Sequence, residues 1–341
     1  MVGLIEGIGE ALATGVKFLS GWVSDRAGDR RKPWIVAGYG ASVAARAVVA
    51  AAPAWGWVLG GRVVDRLGKG ARTAPRDALI RDSTAPEQLG SAFGYHRAMD
   101  TAGAVLGPVV AVVLLESGVS LRNILWAALA VGTLVFVALR GVREAPKRTE
   151  NVEAAAHREP LPRAFWFAVG IWTIFSLGNS SDAFLILRAK NLGLGAVVVV
   201  LAYALYNLVY ASLSWPLGSL SDRVPRARIL GGGLLVFALV YLGLALAPGG
   251  WAVWPLFAVY GVYIAATDGV ARAWIADVLP GRRGIGTAYG VFSALTAGAA
   301  LVASIAAGLL WSHIDPAAPF LLGSAAAGLA FVLLLVFEST R

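Results

Sequence analysis

The sequence predicts an all-α membrane protein built from two related helical bundles, and three observations carry that prediction. Hydrophobic residues make up 58% of the 341 and charged residues 14%, a balance too apolar for a soluble chain of this length. Apolar runs of membrane-crossing length recur, among them 34–52, 124–139, 230–247 and 320–337. Each is long enough to cover about 30 Å of hydrocarbon. Two short patterns also occur twice at nearly the same spacing, which points to a duplicated unit. A closed barrel is the other spanning solution, but its strands alternate between apolar and polar residues, and these continuous Ala, Leu, Val and Gly runs do not.

Spans read between polar breaks fall near 1–22, 33–52, 55–81, 88–115, 121–140, 163–189, 196–217, 229–247, 252–277, 283–311 and 318–338. That gives eleven helices. Met1 is followed by an apolar stretch without a basic leader, so no cleavable signal is expected. Residues 141–162 carry Arg143, Lys147, Arg148, Arg158 and three prolines, and read as a solvated loop between an N-terminal bundle, 1–140, and a C-terminal bundle, 163–341.

The repeats set the organisation. Gly21-Trp-Val-Ser-Asp25-Arg26 returns as Gly218-Ser-Leu-Ser-Asp222-Arg223, and Gly90-Ser-Ala-Phe-Gly94 returns as Gly286-Thr-Ala-Tyr-Gly290, at offsets of 197 and 196. Copies in the same order imply parallel repeats of six helices each. Two spans precede Gly218 and one precedes Gly21, so the first helix of the first repeat is expected before Met1. The expectation is a truncated chain or a start codon assigned too late, the alternative being a true eleven-helix protein. Basic residues cluster on one side, at Arg26, Arg30, Arg31, Lys32, Arg81, 140–163, Arg223, Arg226, Arg228, Arg282 and Arg283. That side, with the central loop, is expected to be cytoplasmic, which places the protein in the cell (inner) membrane as a multi-pass chain.

Composition also excludes. There is no cysteine, which removes disulfides and thiolate metal sites. His96, His157 and His313 lie in separate segments, so no zinc site is expected. The net charge of +9 is what basic loops give a membrane protein, and no basic soluble domain exists to bind nucleic acid. No cofactor or metal is implied. Gly68-Lys69-Gly70 lacks the spacing of a nucleotide-binding loop.

Gly21-x-x-x-Asp25-Arg26-x-Gly28-x-Arg30-Arg31 and its echo at Gly218, Asp222 and Arg223 resemble the loop motif of the major facilitator superfamily, found between the second and third helices of each half. The chain then holds helices 2–6 and 7–12 of the family count. The resemblance implies that this loop latches the cytoplasmic side while the cavity opens outward, through Asp25, Arg26 and Arg30. By residue type, Gly21 and Gly218 permit close helix approach, and Asp25 and Asp222 can oppose the positive end of a neighbouring helix. The plainer reading is that these charges only anchor topology. Pro225 and Arg226 replace the glycine region in the second copy, so that gate is expected to work differently or less strongly. Gly103-Ala-Val-Leu-Gly107-Pro108 resembles the element on the fifth helix of many proton-coupled exporters of the superfamily. Small residues four apart suit tight helix contact, and a proline loosens the backbone beside it.

One helix stands apart. Between Arg62 and Asp77 lie five positive and two negative residues. Arg62, Asp65, Lys69, Arg72 and Arg76 share an arc of roughly 80° on a helix, opposite Val64, Leu67, Ala71, Ala74 and Ala78. Charge inside a membrane is costly and faces a cavity or a partner. Net positive charge there favours an anionic substrate gripped by arginine, with Arg97 added from the next helix. A closed ion-pair network that only holds helices together is the competing reading. Glu6, Glu10 and Asp100 are candidate partners and proton carriers. Asp182, beside Asn179, Ser180 and Ser181, together with Asp268 and Arg272, four apart and able simply to pair, are the second-half candidates for coupling.

These readings converge on a secondary transporter, not an enzyme. It would work as a monomer by alternating access in the lipid bilayer, moving a small anionic organic solute, with proton-coupled export as the leading direction. An ion-coupled importer, a membrane-embedded enzyme and a transport-like receptor remain as alternatives.

Overall fold

The computed structural model describes residues 15–27, 30–142, 144, 160–279 and 284–340, and every regular element among them is helical. The helices are α1 (15–26), α2 (Lys32–Ala51), α3 (Trp55–Asp82), α4 (Leu89–Glu116), α5 (Leu121–Gly141), α6 (Arg163–Gly178), α7 (Ala183–Asn191), α8 (Ala196–Leu220), α9 (Arg226–Leu246), α10 (Val253–Asp277), α11 (Ile285–His313) and α12 (Ala318–Ser339). Eight of these segments are long and apolar enough to cross a membrane by composition, counting the short 3-10 turns that lead into α4 and α10. The others depart for local reasons. The described residues of α1 are too few to span, α3 carries the charged stripe, and the expected span 163–189 is two helices. Residues 179–182 leave helical geometry between α6 and α7, because Asn, Ser and Asp side chains compete with the helical backbone for its hydrogen bonds.

Starts and stops follow the residues. Proline stands in the first turn of α2 and of α12, where no intrahelical N–H is required. The Ser120 hydroxyl caps α5 by accepting from the Asn123 N–H at 3.3 Å. Gly284, at φ +84°, turns the chain into α11 in a conformation that glycine adopts without strain.

The chain divides into two compact units, and each draws on both repeats. One comprises Met1–Ser83, Gly107–Leu161 and Gly281–Ala294, the other Thr84–Leu106, Pro162–Pro280 and Leu295–Arg341. In the first unit α2 packs along α3 and against α5. Gly38 and Gly68 bring the α2 and α3 backbones together so closely that a Cβ on either would overlap the other's carbonyl oxygen. In the second unit α10 packs on α8 and α9, and α12 on α9 and α6. Phe175, Phe237, Tyr241, Tyr260 and Tyr263 fill its centre, with Phe237 stacked on Tyr241 at 3.9 Å between ring centroids. Lipid tails are as apolar as leucine, so association here comes from close van der Waals packing and from polar contacts, which small residues and tyrosines supply.

Candidate functional site

The helix N-termini come first, because each leaves backbone N–H groups without intrahelical partners and carries partial positive charge. Gly284, just before α11, has no side chain to cap it. Asp25, at the end of α1, does so instead. Its carboxylate accepts from the Gly286 N–H at 3.2 Å, the Thr287 N–H at 2.6 Å and the Thr287 hydroxyl at 2.5 Å. Arg31 is 2% exposed, ion-paired to Asp25, donating to the Ser24 hydroxyl at 2.9 Å and 3.6 Å from Asp82. Gly21 permits this approach, since a Cβ there would overlap the Gly286 carbonyl.

The second unit repeats the arrangement with the roles of the two sequence copies exchanged. Asp222 accepts from the Gly90 N–H at 2.8 Å and the Ser91 N–H at 2.7 Å, capping α4. Arg226 bonds Asp222 at 2.8 Å, pairs with Asp277, and donates to the Pro86 carbonyl at 2.9 Å. A Cβ on Gly90 would overlap the Gly218 carbonyl, and one on Gly218 the Gly90 carbonyl. Thus Gly21–Asp25 meets Gly286–Thr287, and Gly218–Asp222 meets Gly90–Ser91. The departure at Pro225 and Arg226 supplies the second network with its cation.

The arginines of the motif divide by burial. Arg26 is exposed over the Trp22 ring at 3.7 Å from its centroid, and Arg30 and Arg223 are exposed. Arg31 and Arg226 are the buried cations. Sequence reasoning did not assign Arg31, Asp82, Asp277, Ser91 or Thr287 to a site. One signal was available, since Asp82 and Asp277 stand 195 positions apart, close to the repeat offset.

On α3, Arg72 is tied to α2. It donates to the Ser42 hydroxyl at 2.7 Å and lies 4.5 Å from the Tyr39 ring centroid. Arg76 donates to the buried Asp77 at 2.7 and 3.0 Å. Arg62 and Lys69 are exposed, and Asp65 is half-buried. Arg97 belongs to the other unit. It lies 3.1 Å from Asp268 and 3.7 Å from the exposed Asp100. Asp268 also binds Arg272 at 2.6 Å and accepts from the Tyr210 hydroxyl at 2.7 Å. Asp182, at the break between α6 and α7, accepts from the Tyr206 hydroxyl at 2.8 Å and the Tyr260 hydroxyl at 2.9 Å. Glu6 and Glu10 lie outside the described residues. Gly103 and Gly107 do not make the expected close approach among the described residues: a Cβ on either would meet nothing within 4 Å, and Pro108 is exposed.

The chain has relatives in sequence and in fold. The family model of the Major Facilitator Superfamily matches residues 1–187 and again 181–341. An uncharacterised MFS-type transporter of Methanocaldococcus jannaschii is 34% identical over 342 residues, covering 98% of this chain and 85% of that protein. A multidrug resistance protein of Cronobacter sakazakii is 28% identical over 257 residues, 72% of this chain and 62% of that protein. Among solved structures, that of the human organic anion transporter MFSD10 shares the fold with a TM-score of 0.79 at 17% identity, covering 97% of this chain and 83% of that one.

Proposed function

The chain belongs to the major facilitator superfamily and is a membrane transporter, and from that premise we propose that it exports a small anionic organic solute by alternating access, driven by protons. The observation that carries the substrate class is the charged stretch of α3, where five positive and two negative residues fall from Arg62 to Asp77. Charge of that density on a helix within a membrane bundle is retained where it meets a cavity, a ligand or a partner. Arginine supplies the planar, bidentate donors that carboxylates and phosphates take. In this reading Arg62, Asp65, Lys69, Arg72, Arg76 and Arg97 serve substrate binding. Coupling falls to the acids Glu6, Glu10, Asp100, Asp182 and Asp268, with Arg272. The direction is supported by a relative named for multidrug resistance.

The gate consists of the two capped networks. Asp25 and Asp222 hold helix starts by hydrogen bonds and ion pairs, contacts that can form in one state and separate in another as a unit. Arg26, Arg30 and Arg223 stand on the exposed side of these networks, facing the cytoplasm of an inner-membrane monomer. Gly103, Gly107 and Pro108 provide a surface on α4 against which another helix can slide.

Ligand-induced thermal stabilisation tests the substrate class. The purified protein is screened against matched anionic, neutral and cationic small molecules, with Arg72→Ala and Arg76→Ala beside it. Stabilisation by anions that disappears in both variants is the expected result. Selective stabilisation by cations or neutral compounds, unchanged in the variants, overturns the anionic assignment and leaves the stripe as a structural network.

A further inference from the structure

Two acids of the second unit sit in opposite environments. Asp268 on α10 is matched by two guanidinium groups, Arg272 at 2.6 Å and Arg97 at 3.1 Å, and by the Tyr210 hydroxyl. Asp182 is held by two neutral donors, the Tyr206 hydroxyl from α8 and the Tyr260 hydroxyl from α10. Among the described residues, the groups around it on the packed helices are uncharged: Tyr203 and Tyr206 on α8, Tyr241 on α9, Tyr260 and Tyr263 on α10, and Ser304 on α11, which accepts from the Ser181 N–H at 3.1 Å. The nearest cation along the chain, Arg188 on α7, is turned to other acceptors. It donates to the Leu244 carbonyl at 2.9 Å, the Ala245 carbonyl at 3.0 Å and Asn191 at 2.8 Å.

The geometry points to Asp182 as a reversible protonation site that controls the seam between the α6–α7 break and helices α8 and α10. The inference deepens the proton-coupled reading above by choosing one acid from the candidates. Asp182 is half-buried, and a carboxylate partly withdrawn from water and held only by neutral donors is costly to keep charged, with proton uptake the usual relief. Asp268, compensated by two cations, has no such need. The tyrosines around it, Tyr206, Tyr241 and Tyr260, are 4%, 0% and 1% exposed, so the carboxylate lies against closely packed rings.

Proton binding has a mechanical consequence. Asp182 stands at a discontinuity, so the bonds from Tyr206 and Tyr260 tie a broken helix to two continuous ones. Hydrogen bonds to an ionised acceptor are roughly twice as strong as neutral ones. When one carboxylate oxygen takes a proton from water, an O–H bond forms, the charge disappears and both phenol bonds weaken. Return of the proton to water restores them, with no change in electron count. Tyr206 and Tyr210 lie one turn apart on α8 and hold Asp182 and Asp268 respectively. A change at the first acid is therefore felt by the helix that positions the second.

Infrared difference spectroscopy of the purified protein during a pH titration tests this with protons as the probe. The wild type should gain a protonated-carboxyl C=O band as the pH falls. Asp182→Asn should lose that band, Asp268→Asn should keep it, and Tyr206→Phe and Tyr260→Phe should shift its frequency. Asp182→Glu covers the case in which the asparagine variant fails to fold, since it should retain a displaced band. A band that survives in Asp182→Asn, or that vanishes in Asp268→Asn instead, overturns the assignment. A spectrum that answers to sodium at constant pH and not to protons also overturns it, in favour of a metal cation. If the band titrates at Asp182 while an imposed pH gradient moves no anion that stabilises the protein, the protonation site stands and the proton-driven reading fails.

Discussion

The two capped networks have the same plan but differ in burial and in redundancy. Around Asp25 the paired side chains are 1% and 2% exposed, and α11 contributes three donors, one of them the Thr287 hydroxyl. Around Asp222 the pair is 8% and 8% exposed, and α4 contributes two backbone donors. The Ser91 hydroxyl, at the position equivalent to Thr287, is taken by the Trp215 indole at 3.0 Å. Arg226 also reaches Asp277 and the Pro86 carbonyl, and Arg31 also reaches Ser24 and, at 3.6 Å, Asp82. Duplication preserved the capping geometry, while the cost of breaking each network now depends on how much else its arginine holds.

The largest effect is expected from Asp25→Ala. It leaves a buried guanidinium without its closest carboxylate, a loss of about 3–5 kcal/mol read as a fall in the unfolding midpoint of the purified protein. Asp222→Ala should cost less, about 1–3 kcal/mol, because Arg226 retains Asp277. Equal losses would break the comparison.

Close approach gives the next test. Ala at Gly90 or Gly286 places a methyl group against backbone and charged side chains and should destabilise by about 1–3 kcal/mol. Gly103→Ala, with nothing within 4 Å among the described residues, should be neutral or stabilise by up to about 1 kcal/mol through helix propensity. Smaller still is the hydroxyl difference. Thr287→Val should cost about 1–2 kcal/mol, whereas Ser91→Ala leaves both bonds to Asp222 in place and should cost less. At the bottom of the series, Arg26→Ala and Arg30→Ala should stay within about 0.5 kcal/mol of the wild type. A large effect at either would mean that the exposed arginines are needed for stability, contrary to their positions. Because the chain has no cysteine, single cysteines beside Gly90 and Gly286 can report by labelling whether each variant opens its own cap alone.

Much of this was legible in one dimension. Sustained apolar runs identify spanning helices because a bilayer demands length and dryness from every one of them. Repetition at offsets of 196 and 197 identifies Gly21, Asp25, Gly90, Gly218, Asp222 and Gly286 as matched from the sequence alone. The α3 stripe was visible because helical periodicity alone gathers Arg62 to Arg76 on one side. The α6–α7 break was visible only as a run of polar residues, Asn179 to Asp182, within an expected span.

Tertiary structure alone decided which repeat segment meets which. Asp25 and Thr287 are 262 positions apart, and nothing in either motif states that its partner comes from the other copy. It also decided that Arg31 rather than Arg26 or Arg30 holds Asp25, that Arg97 turns to Asp268, and that Asp182 faces phenols while Asp268 faces guanidinium groups. The physical reason is range. Propensity, periodicity and hydropathy act over a few residues, so a sequence carries them on its face. A buried charge depends on the few atoms within hydrogen-bond reach, and those come from helices that only the packed fold brings together.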